Sequence, residues 1–393
     1  MTKMRDAIRQ LNVWQQFFSN DDTQKFWFQQ VRLLKALRLF DFENLINWCE
    51  TLIENIEVLQ NMMKLGLIEE CNNLQSLSKR IQSLPESIRD LQNLQKLDFD
   101  GCKKLQSLPE NIGQLRNLRT LNFNDCGNLQ RLPESIGLLE NLQELNLSDC
   151  KKLQSLPESI GQLQNLQVLY LTIFPNNKPQ NLEIIGQLRN LQELYLKHCE
   201  NLESLPESIR ELQNLQKLDF DGCENLQSLP ESIGQLQNLQ ELNLRDCKNL
   251  QSLPESIGQL QNLQELNLEF CNNLQSLPES IGQLRNLQKL NLMYCENLQS
   301  LPKNIGQLRN LRVLDLGYCR ELQSLPKSIG QLQNLQKLKL SDCKQLQRLP
   351  ESIGQLQNLQ ELNLSDCKHL QRRLPESINQ LKKLRIWTGF RWL

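Results

Sequence analysis

Residues Leu142 to Asn165 read LQELNLSDCKKLQSLPESIGQLQN, and the 24-residue frame LxxLxLxxCxxLxxLPxxIxxLxN returns down most of the chain. Copies open at Leu94, Leu118, Leu142, Leu166, Leu191, Leu215, Leu239, Leu263, Leu287, Leu311, Leu335 and Leu359, twelve units in step except that Leu166 to Leu191 spans 25 residues. Repetition at this period predicts a solenoid rather than the two or three globular domains that 393 residues would otherwise suggest.

Within a unit, Glu144 to Ser148 alternates polar and apolar residues, which predicts a short parallel strand with its leucines pointing inward. From Leu156 to Leu163, LPESIGQL spaces its apolar residues three and four apart and places proline where a first helical turn tolerates it. That segment reads as a short helical or 3-10 return on the outside. One unit cannot bury its own apolar side, so neighbours supply the core and stability is nearest-neighbour in character. The expected fold is an α/β solenoid, a right-handed horseshoe with a parallel concave sheet and short convex segments. The asparagine before each opening leucine, such as Asn141 and Asn165, is expected to satisfy backbone groups in the turn.

The expected boundaries are a helical N-terminal cap over 1–33, degenerate leading repeats over 34–93, regular repeats over 94–383 and a C-terminal cap over 384–393. Met62-x-x-Leu65-x-Leu67 and Leu34-x-x-Leu37-x-Leu39 supply the frames of the leading repeats. Trp14, Phe17, Phe18, Phe26, Trp27 and Phe28 crowd the first segment and either cover the end of the leucine core or dock a partner. At the other end, LRIWTGFRW from Leu384 leaves the pattern and is expected to close the coil.

Lys plus Arg is 44 against 45 for Asp plus Glu, so the net charge of -1 exerts no global pull on nucleic acid or anionic membrane. The first 22 residues show no signal-peptide core, no stretch approaches the ~18 apolar residues of a membrane span, and mean hydropathy is -0.50. No nucleic-acid partner and no membrane insertion are expected. Cysteines recur once per unit from Cys102 to Cys367, interrupted only by Phe174. Such a row sets the side chains parallel instead of in facing pairs, which argues for buried free thiols and a reducing, cytoplasmic setting. With no Cys-x-x-Cys pair and only His198 and His369 as histidines, neither a metal nor another cofactor is expected.

The unit resembles the intracellular leucine-rich repeats marked by LPxxIGxLxxL, and its cysteine form is similar to the repeat region of plant nucleotide-binding disease-resistance receptors. Phrases such as Gly161-Gln-Leu-Gln-Asn-Leu-Gln also look like repeats of spirochaete cytoplasmic and surface proteins. The resemblance covers about 34–385 and implies ligand recognition on the concave face. The phosphate-binding loop of the plant receptors, Gly-x-x-x-x-Gly-Lys-Ser/Thr, does not occur in the chain.

Departures from the repeat locate a candidate site. The middle strand row runs Asp98, Asn122, Asn146, Tyr170, Tyr195, Asp219, Asn243, Asn267, Asn291, Asp315, Lys339 and Asn363, suggesting an amide ladder broken by two tyrosines. The row before the cysteines places Phe270, Tyr294 and Tyr318 in successive units where most others have Asp or Gly. With strands ~4.8 Å apart these rings should stack into an exposed stripe, with Met293 beside it and Lys289 and Lys337 flanking. The stripe serves as a partner-binding anchor or only joins neighbouring repeats. Around the irregular unit Leu166 to Asn190, where Pro175 to Pro179 replaces the usual turn, Tyr170, Tyr195 and His198 form a second candidate group, unless the irregularity is an indel scar. Residues 200–284 carry 14 acidic and 4 basic side chains, net -10, whereas 285–393 carry 18 basic and 8 acidic, net +10. Such polarity could steer a charged partner.

No unique cluster of nucleophile, base or metal ligands stands out, so the chain is not expected to be an enzyme. The expected role is a non-catalytic protein-binding scaffold. The alternatives are the recognition subunit of an immune receptor or ubiquitin ligase, working in innate immunity or signalling, and a structural subunit of a larger assembly.

Overall fold

The computed structural model describes residues 73–74, 83–84, 86–172, 179–367, 370 and 373–389, all within the second of two units into which the chain divides, Asn72–Leu393. The expected N-terminal cap, its aromatic residues and the frames at Leu34 and Met62 lie outside the described residues.

Each repeat contributes one strand of two to four residues, and 14 strands lie side by side in chain order in one sheet. All pairings are parallel. The register is set by the inward leucines, which face one another from unit to unit: Leu242 with Leu266, Leu266 with Leu290, Leu290 with Leu314 and Leu314 with Leu338. These side chains are buried, and a one-residue slip would turn the whole row out to solvent. Full burial of each leucine contributes ~1.5–3 kcal/mol, repeated at every rung.

The strands are short because the middle-row residue ends them. Asn267 Oδ1 accepts the N–H of Glu269 at 3.1 Å, and Asp98, Asn122, Asn146, Asp219, Asn243, Asn291, Asp315 and Asn363 do the same two residues on. The row is therefore a series of local Asx turns. Bonds between rungs, such as Asn122 Nδ2 to Asp98 Oδ1 and Asn243 Nδ2 to Asp219 Oδ1, are secondary, which corrects the expected amide ladder.

The convex return is 3-10 throughout. In Glu255–Gln259, Pro254 precedes the first turn with an extended backbone (φ -69°, ψ 155°), and Leu260 N–H closes it onto Ile257 O. Three side-chain ladders hold these turns together. Asn262 Nδ2 donates to Gln237 O of the preceding unit at 2.8 Å, and the same bond recurs at 2.7–2.9 Å from Asn117 to Asn358, as expected for the asparagine row. Glu255 Oε2 accepts Ser280 N–H of the next unit. Gln261 Nε2 donates to Gly258 O, covering a carbonyl at the end of the 3-10 turn. Glycine is required at Gly258 because a Cβ there would meet Ser280 O at 2.5 Å.

Eleven described cysteines are buried, none of them in a disulfide. They do more than fill space. Cys271, Cys295 and Cys319 each donate Sγ–H to a backbone carbonyl one unit back, Leu244 O, Leu268 O and Leu292 O, all at 3.1 Å.

Both ends of the regular array depart from expectation. The strand before Lys96–Asp98 is Asn73–Leu74, with Leu74 opposite Leu97, so pairing places the preceding rung downstream of the Leu65 and Leu67 frame. At the other end, Arg385–Trp387 does not abandon the pattern but pairs in parallel with Glu361–Asn363. Leu384 precedes the inward Ile386 by two residues where Leu359 precedes Leu362 by three. That one-residue deletion hides the last strand from the repeat frame. In the irregular unit, Pro179–Gln187 forms a nine-residue 3-10 segment, while 173–178 lie outside the described residues.

Candidate functional site

After each strand the chain turns sharply to drive the cysteine inward, and the residue before the cysteine takes a left-handed backbone. Asp125, Asp149, Asp246, Asp342 and Asp366 have φ of 54–59°, and Gly101 and Gly222 have 69° and 76°. Glycine and aspartate suit that conformation. Phe270, Tyr294 and Tyr318 adopt it as well, each at φ 61°. A bulky L-residue is strained there by ~1–2 kcal/mol, so three consecutive aromatics occupy the position that least favours them.

Their rings stack along the solenoid. Phe270 and Tyr294 centroids are 4.4 Å apart with planes 7° from parallel, and Tyr294 and Tyr318 are 4.3 Å and 15°. All three rings are half-buried, and Met293 lies half-buried beside them. Arg245 closes the Phe270 end with its guanidinium 5.7 Å from the ring centroid, held by Asp221 at 3.4 Å and Glu269 at 3.7 Å. Two residues beyond Tyr318, Arg320 bridges Glu296 and Asp342. Desolvation, then the neighbouring Tyr318, pushes the Tyr294 phenol above its ordinary pKa. The stripe offers ring edges, phenol hydroxyls and a thioether bordered by fixed charges, a surface for recognition with no nucleophile and base brought together.

Lys289 and Lys337 do not border the rings. Both lie in the first strand row, where Lys289 pairs with Glu265 and Lys337 with Glu361 at 3.4 Å. Lys217 likewise meets Glu241 at 3.0 Å. Of these three pairs only Lys289 with Glu265 joins the acidic segment to the basic one, so the net polarity of the two segments persists.

Of the second group, the two tyrosines come together. Tyr170 and Tyr195, in the middle row of adjacent strands, stack at 4.4 Å with planes 8° apart. Lys197 and Lys217 lie 5.7 and 5.5 Å from the Tyr195 centroid, and Tyr195 donates its hydroxyl to Glu193. Burial first, and nearby carboxylates next, raise both phenols. His198 is exposed in the left-handed row. Gly222 of the following unit makes room for it, since a Cβ there would lie 2.2 Å from His198 Nδ1.

Sequence reading missed Arg245, Glu269 and Arg320. The first two occupy the third strand row, and a reading of that row would have singled out Arg245 and Glu269 beside the aromatic residues.

The chain matches the profile described as leucine-rich repeat region over residues 15–174, 167–294 and 290–389. This protein is a leucine-rich repeat protein. A leucine-rich repeat protein of Leptospira interrogans is 33% identical over 84% of this chain and 98% of its own, with a TM-score of 0.43. The repeat domain of the type III effector XopL is 30% identical over 60% of this chain and 81% of its own, with a TM-score of 0.50. A structure of the Drosophila Toll–Spatzle complex shares the fold at 20% identity and a TM-score of 0.66, over 82% of this chain and 44% of that one. No curated protein matches. The finer likeness to plant disease-resistance receptors rests on the cysteine repeat alone. Leucine-rich repeat folds are general protein-interaction scaffolds and are typically non-catalytic. Among the described residues, no helix is long and apolar enough to cross a membrane, and no three His, Cys, Asp or Glu side chains gather in a group that could hold a metal.

Proposed function

We propose that this leucine-rich repeat protein is a non-catalytic scaffold that binds a protein partner on its strand face, anchored by Phe270, Tyr294 and Tyr318. The observation that carries the reading is the placement of three aromatic residues in successive left-handed positions that aspartate or glycine fills in most other described units. A stack kept only to join repeats would gain ~0.5–1.5 kcal/mol per pair against strain of similar size, so stability alone gives little reason for it. Tyrosine and tryptophan anchors commonly dominate protein interfaces. Eleven buried thiols without disulfides support a reducing, cytoplasmic setting.

The test replaces all three rings by Asp, the residue the same position accepts elsewhere, and compares capture of partners from native lysate with that by the parent chain. We expect the triple variant to fold with a thermal midpoint within a few degrees of the parent and to lose the parent's specific partner. Equal recovery by both proteins would refute the stripe as the anchor. The likeness to the repeat domain of a type III effector favours, as a second reading, a recognition arm working with a separate effector or signalling activity, including one in innate immunity.

A further inference from the structure

A different face carries a second site. At the turn after each 3-10 segment the usual residue is glutamine, whose Nε2 covers the glycine carbonyl of its own unit: Gln164 on Gly161, Gln237 on Gly234, Gln261 on Gly258, Gln333 on Gly330 and Gln357 on Gly354. In two successive units that glutamine is replaced, by Arg285 and Arg309. Neither arginine makes an ion pair, and neither Gly282 O nor Gly306 O accepts a hydrogen bond, among the described residues. At this place a groove of about 1180 Å³ opens along the return face, containing both arginines and both glycines. Its remaining walls are glutamine and asparagine side chains, and no carboxylate lines it.

We propose that this groove docks an extended acidic peptide segment of a protein partner, Arg285 and Arg309 pairing with its carboxylates while Gly282 O and Gly306 O accept its backbone N–H groups. The charge complementarity is one-sided: two exposed guanidiniums share one concavity with nothing acidic in its walls. Arginine suits the role because its planar fork meets a carboxylate with two parallel hydrogen bonds. The uncovered carbonyls exclude a simple anion as the best fit, since an anion has no donors to offer them, whereas a peptide carries donors and carboxylates together. The site is independent of the aromatic stripe and stands or falls separately from it.

The decisive variant restores the repeat. R285Q/R309Q installs the residue that other units already use and re-covers both carbonyls, so folding is not at risk. The probe is an acetylated and amidated hexaglutamate peptide, titrated by fluorescence anisotropy against the full chain at low salt. R116Q/R189Q, which removes the same charge from other units, is the control. We expect R285Q/R309Q to weaken binding at least tenfold, the control to change it less than twofold, and backbone N-methylation of the peptide to weaken its binding to the parent chain severalfold. Unchanged affinity in R285Q/R309Q, an equal loss in the control, no binding by the parent chain, or indifference to N-methylation would each overturn the proposal.

Discussion

Raising the pH from 7 to 10 should unfold the repeat array, and the buried thiols set the size of the effect. Burial is the leading cause that raises Cys126, Cys150, Cys247, Cys271, Cys295, Cys319, Cys343 and Cys367 above the ordinary value of 9.0. Cys150, Cys271 and Cys319 reach about 12 and Cys367 about 11. Above pH 9 the unfolded chain therefore binds fewer protons than the folded one, so stability falls with pH. The stabilisation is fully present below the unfolded value of 9.0 and is lost as pH climbs toward the folded values. One thiol held neutral at pH 10 costs about 1.4 kcal/mol, and eight together cost ~11 kcal/mol, comparable with the whole 5–15 kcal/mol that holds a typical domain folded. Urea melts followed by circular dichroism in reducing buffer should show a midpoint nearly constant from pH 7 to 8 and collapsing between 9 and 10. Ellman's reagent should find these thiols unreactive until the dichroism signal is lost. A midpoint flat from pH 8 to 10, or thiols that react while the spectrum stays native, would refute the reasoning.

Four further substitutions test the ladders. Gly258→Ala pushes a Cβ against Ser280 O and should cost ~1–3 kcal/mol, read as a lower urea midpoint. Leu266→Ala opens a cavity in the fully packed spine and should cost ~2–5 kcal/mol, with loss of cooperativity visible in the same melt. Asn262→Ala removes the bond to Gln237 O and should cost ~1 kcal/mol. Lys327→Glu should do the opposite: Lys303 and Lys327 stand where most units carry glutamate, and a carboxylate at 327 would reach Ser352 N–H as Glu255 reaches Ser280. A gain of ~0.5 kcal/mol follows from satisfying that donor, and a lower thermal midpoint would contradict it.

The solenoid was legible because its signal is repeated: a period of 24 residues with inward leucines admits one strand register and one placement of the return. Where the signal occurs once, reading failed. The final strand escaped notice because a single missing residue shifts Ile386 against its frame, and only pairing with Leu362 restores it. The strand at Asn73–Leu74 falls inside the span expected to hold degenerate repeats, and only its pairing with Lys96 and Leu97 marks it as a rung. The aromatic stripe was visible as three rings at equal spacing. Its left-handed backbone was foreshadowed only by the Asp and Gly that share the row, a clue about conformation that alternation of polar and apolar residues does not carry. The uncovered carbonyls at Gly282 and Gly306 could not be read at all, since nothing in sequence alone says that a turn glutamine bonds the glycine three residues behind it.

The asparagine ladder gives the array a direction. Every one of these bonds runs backward, from an amide in one unit to a carbonyl in the unit before, so each rung is a donor to its predecessor and an acceptor for its successor. Insertion or removal of a whole 24-residue unit preserves the spacing of this ladder, and even the 25-residue unit Leu166 to Asn190 keeps both of its junctions, Asn190 reaching Gln164 O and Asn214 reaching Arg189 O. The chain can therefore lengthen or shorten by whole rungs at little cost in fold, and a rung gained or lost between Tyr195 and Phe270 alters by about one strand spacing the distance between the paired tyrosines at 170 and 195 and the stripe at 270 to 318. Gene duplication within this repeat would act as a ruler that resets the separation of two contact points without redesigning either.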